Sequence, residues 1–180
     1  MKGYKIAIGV DTVTGPFLCM VELETLEESI IVEPTKKVNL SDNAGYNILT
    51  EAEAQYYVPE PRQVAKYRTN MAKVVSVKPL ENMPEECWNK VAYSIWNIST
   101  FINFIDAFPI VSYKAGQMVS ASLNVDKEKP CGEGIHFFAS EEDAKRWVRL
   151  DPTGFVIGAL NYCHRLWEST TDNFVKELCK

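Results

Sequence analysis

Five residues carry most of the usable chemistry: Tyr67 and Arg68, Tyr113 and Lys114, and His136. An arginine offers a planar fork that matches phosphate or carboxylate. A lysine adds a point charge, and a tyrosine brings a stacking ring with a hydroxyl. Together they read as a ligand-binding set for a small anionic, nucleotide-like molecule. Reactive signatures are sparse. The two histidines, His136 and His164, are too few for a histidine-built metal centre, and Cys131 with His136 would need two distant ligands to complete a zinc site. No metal and no cofactor is therefore expected, and a histidine flanked by apolar neighbours, as His136 is, is more often a hydrogen-bonded core group than a ligand. Cys131 with His136, or Cys163 with His164, would serve a cysteine nucleophile only if the histidine came within hydrogen-bond reach. Adjacent residues such as Cys163 and His164 point apart on a strand, so no catalytic residue is assigned. Neither GxxxxGK[ST] nor GxGxxG occurs, and Gly132 and Gly134 are turn chemistry.

Charge sharpens this picture. The net charge is −5, but residues 1–60 hold four basic and ten acidic side chains, whereas 61–120 hold seven and four. Within 61–80 stand Arg62, Lys66, Arg68, Lys73 and Lys78 with no acid. An acidic chain with one basic segment excludes general nucleic-acid binding and permits a local anion site, or a solvated strand face. The five cysteines are widely spaced and odd in number, which fits reduced thiols rather than a disulfide framework. No apolar run nears the roughly 20 residues of a membrane helix. The patch at Met1–Ile6 is too short for a signal-peptide core. A cytoplasmic protein that does not engage membranes is expected, with a homo-oligomer left open.

The elements that must position these residues are mostly short strands. Tyr4–Val10 leads into a turn cluster at 11–16, and Phe17–Leu23 reads as the next strand. Ile30–Val32 and Ala72–Val77 are further β-rich runs, the second ended by Pro79. Glu22 and Glu24 share one strand face and read as a solvated edge. Thr50–Tyr56 reads as a brief helix. Pro84-Glu85-Glu86 reads as a helix start, with Trp88, Val91, Ala92, Ile95 and Trp96 at helical spacing. Ile110–Lys114 and Met118–Val125 read as strands, followed by a polar loop from Asp126 to Gly134. Ile135–Ala139 is a short strand carrying His136, and Ser140 caps a helix, with Asp143 in the capping-box position. A last helix starts at Thr171 or Asp172. The sum is an α+β fold: a single domain over 1–150 of many short, largely antiparallel strands with peripheral helices, and a C-terminal extension, 151–180, packed on it.

Three blocks carry a family resemblance: Lys66–Val77, Tyr113–Val119, and Cys131–Phe138 with Ala144. Their order and spacing resemble an uncharacterised domain of phage and large-DNA-virus proteins, sometimes found beside pentapeptide repeats. Coverage is about residues 15–150. The family pattern usually has cysteine before the arginine, where this chain has Tyr67. The resemblance implies a viral or phage origin and an intracellular site of action, and brings no reaction with it. A second likeness lies in Gly134-Ile135-His136-Phe137-Phe138 with Ser140 and Ala144. This is similar to the strand–helix block of ADP-ribosyltransferases of the poly(ADP-ribose) polymerase type, where it helps hold nicotinamide. Here His136 takes the aromatic position, no histidine lies upstream to hold the ribose, and Glu168 has no acidic companion at i−2. The resulting expectation is a phage accessory protein that binds an anionic nucleotide-like ligand and sequesters a host defence signal. The alternatives are an ADP-ribosyltransferase-like enzyme, or a protein–protein adaptor using Trp88, Trp96 and Phe101–Phe108.

Overall fold

The computed structural model describes residues 1–11, 15–39, 63–80, 88–94, 111–129, 132–149, 160, 161 and 164. Strands dominate. In chain order they are β1 (Lys2–Asp11), β2 (Gly15–Glu24), β3 (Ile31–Val32), β4 (Val38–Asn39), β5 (Gln63–Val64), β6 (Tyr67–Thr69), β7 (Met71–Pro79), β8 (Trp88–Tyr93), β9 (Ser112–Lys114), β10 (Met118–Ser120) and β11 (Ile135–Phe137). They are followed by helix α1 (Glu141–Arg149), and Leu160, Asn161 and His164 are helical as well. A six-stranded sheet has the order β10-β7-β2-β1-β8-β9, a three-stranded sheet β11-β6-β3, and a two-stranded sheet β4-β5. Every strand pairing among the described residues is antiparallel.

The long hairpin of β1 and β2 organises the rest. It pairs continuously from Lys2↔Glu24 to Asp11↔Gly15. β1 is buried on both faces from Ile6 onward, which explains why its sequence alternates only weakly. Ile6 and Ile8 point to one side, where they pack with Met20, Val64, Phe138 and the α1 residues Ala144 and Val148. Ala7 points to the other, into a larger cluster with Phe17, Cys19, Val21, Leu23, Val74, Ala92, Tyr113, Val119, Ile135 and Phe137. That second cluster fills a sheet that nearly closes on itself. The turn leaving β9 returns to β7, where Gly116 N–H donates to Val74 O at 2.8 Å and Val74 N–H donates to Gln117 O at 2.8 Å. The result is close to a barrel, which hides most of the sheet edge from solvent.

Several sequence expectations change in this setting. The stretch read as a helix from Trp88 is strand β8, paired with β1 and β9. Its helical spacing is outweighed by the open flank of β1 and by Ala92, wholly buried between two strands. Lys90 takes a positive φ of 58° where the pairing with β1 shifts register between Gly9 and Asp11, a bulge that bends the strand. Glu22 and Glu24 do not sit on an edge, because β2 runs between β1 and β7. Glu22 instead accepts from Lys2 at 3.1 Å and from Ser76 at 3.2 Å. The strand expected over 118–125 stops at Ser120. The expected helices at 50–56 and from 171 lie outside the described residues.

Helix α1 forms as its sequence suggests. Ser140 Oγ accepts the Asp143 N–H at 3.1 Å and donates to Asp143 Oδ2 at 2.6 Å. Glu141, Glu142 and Asp143 place negative charge at the positive end of the helix dipole. The outer face carries the i,i+4 pairs Lys145–Glu141 and Arg146–Glu142.

Candidate functional site

The small sheet β11-β6-β3 brings three of the five expected residues together. In the β6–β11 pairing His136 lies opposite Arg68, and Phe137 opposite Tyr67. Tyr67 stacks on Phe137 with ring centroids 5.6 Å apart and an interplanar angle of 18°. Burial, helped by the Glu33 carboxylate that accepts its hydroxyl, raises the Tyr67 pKa.

Arg68 is placed differently from its expected ligand-facing role. It is fully buried, and its guanidinium is turned onto the following loop. Nη1 donates to Lys129 O, and Nη2 to Asn124 O at 3.1 Å and Asp126 O at 2.8 Å. Three backbone carbonyls thus take the fork that would have gripped a phosphate. β10 ends before this loop, where its partner runs out: Ser120 pairs with Met71, the first residue of β7. The glycines of the Cys131–Phe138 block let this loop come close. A Cβ on Gly132 would lie 3.2 Å from Arg68 Nη1, and Gly134, at φ 139°, would press one to 2.9 Å from Leu123 Cδ1.

His136 is the least satisfied group of this cluster. Its ring donates to the Gly132 carbonyl, and Nε2 is buried with no hydrogen-bond partner among the described residues. The Gly132 bond is therefore made by Nδ1, and Nε2 carries a lone pair that only accepts. Desolvation, then the charges of Lys66, Lys5 and Arg68, lower its pKa to about 2. The imidazole is neutral at any physiological pH, and three cations bear on it without an acid among the groups that move it.

Tyr113 joins from the barrel side. It is 1% exposed, and its hydroxyl accepts from Lys5 Nζ at 2.8 Å, with the amine 4.7 Å from the ring centroid. Ser94 bonds the same phenol, and burial raises the Tyr113 pKa. Burial also lowers the Lys5 pKa to about 8. Lys114, the next residue along β9, falls on the opposite side of the strand and is exposed. The basic segment 61–80 does not form one patch: Arg68 turns inward, Lys73 and Lys78 are exposed, and Lys66 Nζ lies 4.6 Å over the Trp147 ring.

Lys5 is the charge that residue-by-residue reading of the chain left out, whereas Lys66 entered only as a member of the basic segment 61–80. For Lys5 a signal exists. On β1, Gly3, Lys5, Ala7 and Gly9 share one face, and a lone lysine among small inward residues marks a buried amine. Among the described residues no group of three or more histidine, cysteine, aspartate or glutamate side chains is placed to hold a metal ion. Cys131 and Cys163 lie outside the described residues, as do Trp96, Phe101–Phe108 and Glu168. A shallow groove of about 150 Å³ lies elsewhere, between α1 and the outer face of β2 and β7, lined by residues including Tyr4, Glu22, Ser76, Lys78 and Lys145. No family model, no curated protein and no solved structure matches this chain.

Proposed function

We propose that the protein binds a small anionic, nucleotide-like molecule and does not transform it. In this reading it is a phage-type accessory protein that sequesters a host defence signal in the cytoplasm, built on an α+β domain over 1–150. One observation carries the proposal: the partnerless Nε2 of His136 lies in a desolvated place where Lys5, Lys66 and Arg68 supply the charge. A buried polar atom without a partner is costly, and a ligand that completes it recovers that cost. The lone pair of Nε2 suits an N–H or O–H of a base or sugar, and the amines of Lys5 and Lys66 suit the anionic end. Arg68 then acts by holding the loop that positions Gly132 and His136. Tyr67 supplies an aromatic wall.

The test is native mass spectrometry and thermal shift against NAD, ADP-ribose, and cyclic and linear nucleotides. A stabilising ligand recovered intact, with binding weakened on the order of tenfold by Lys66→Ala, supports the proposal. Consumption of NAD replaces it with the ADP-ribosyltransferase reading, which the succession of strand β11 and a Ser140-capped helix favours. No shift with any nucleotide removes both and leaves a protein partner as the reading to pursue.

A further inference from the structure

The pair formed by Lys5 and Tyr113 has a covalent chemistry of its own, beyond the charge that Lys5 lends to the proposed anion site. Lys5 is partly exposed, while Tyr113 closes the interior side of the amine at 1% exposure. The amine is held 2.8 Å from the phenol oxygen, and Ser94 bonds the phenol in turn. An amine next to a proton donor that can be reached from one side is the arrangement needed to condense with a carbonyl. We infer that Lys5 is a covalent attachment site for small aldehydes, forming an imine with Tyr113 as the proton shuttle.

The step balances without an oxidant or a reductant. The Lys5 nitrogen adds to the carbonyl carbon, and the C–N bond forms as the carbonyl π pair moves to oxygen. Tyr113 gives its hydroxyl proton to that oxygen and recovers one from the nitrogen. Tyr113 then gives the recovered proton to the carbinolamine hydroxyl, the C–O bond breaks as the nitrogen lone pair forms C=N, and the remaining N–H proton returns to the phenol, so that one water leaves and Tyr113 ends protonated. Two features of the surroundings favour this. Desolvation brings the Lys5 pKa down to about 8, so a sizeable part of the amine is neutral near neutral pH. The same desolvation raises the Tyr113 pKa, which keeps the phenol protonated and able to donate. Lys114, exposed on the other side of β9, serves as an internal reference.

The experiment uses the whole protein at pH 7.5 with two probes, glyoxylate and butanal, trapped by cyanoborohydride and mapped by peptide mass spectrometry. The expected result is labelling of Lys5 on the order of tenfold faster than Lys114, with Tyr113→Phe slowing Lys5 and leaving Lys114 unchanged. Lys5→Met removes the fast label. Selective labelling by either aldehyde supports the inference. Equal rates at Lys5 and Lys114 with both aldehydes overturn it, as does a fast label that persists in Lys5→Met. Since the readout is on the wild-type chain, a variant that fails to fold does not decide the matter. Failure here leaves the nucleotide proposal standing, because butanal carries no anion and NAD and the cyclic and linear nucleotides carry no aldehyde; ADP-ribose, whose free ribose opens to one, is kept out of that comparison.

Discussion

At the scale of single residues, Arg68 and His136 show how burial reassigns a side chain. Arg68 has the chemistry of an anion clamp, yet its fork is spent on the carbonyls of Asn124, Asp126 and Lys129. Removing it takes away the buried guanidinium that ties down those three loop carbonyls. Arg68→Met is expected to cost about 3 kcal/mol or more, read as a lower urea midpoint at an unchanged m-value. A ligand-contact role alone would leave the midpoint of the ligand-free protein where it was. For His136 the sign follows from its folded pKa of about 2 against 6.5 when free. Between those values the unfolded chain holds the extra proton. Stability is therefore fully present above about pH 6.5 and falls as the pH drops, by at most about 1.4 kcal/mol per pH unit from this one group. Denaturant midpoints taken from pH 6.5 to 5 should fall more steeply for the wild type than for His136→Asn. Parallel slopes would show that the imidazole charges as easily folded as unfolded.

At the scale of elements, the legible parts were those whose signals are local. The Ser140–Asp143 cap needs only four residues of sequence, and it forms as read. Ser140→Ala should lower stability by about 1 kcal/mol, and far-ultraviolet circular dichroism with urea titration would measure it. The strands at Lys2–Asp11, Gly15–Glu24 and Met71–Pro79 were likewise legible from β-rich runs bounded by turn residues and proline. β8 was not. Its apolar residues fit a helix, and only the vacant flank of β1 makes a strand the better use of them. The shortness of β10 was also out of reach, because its end falls where its partner β7 begins, at the sequence-distant Met71.

At the scale of the whole molecule, the near-closure of the six-stranded sheet is what creates the interior that Lys5 and Tyr113 share. No helix among the described residues is long and apolar enough to cross a membrane. The chain by itself determined the local punctuation: the hairpin turn after Asp11, the end of β7 at Pro79, the capped helix, and an antiparallel, strand-rich character. These follow from φ preferences, capping chemistry and alternation, which act over a few residues. Only the tertiary structure decided which polar groups meet. It set Arg68 against a loop rather than a ligand, sent Tyr113 inward and Lys114 outward, and brought Lys5 to a phenol 108 positions away. Register and burial make that choice. A strand shows each side chain to one face or the other, and its partners across the sheet decide whether that face is solvent, core or site.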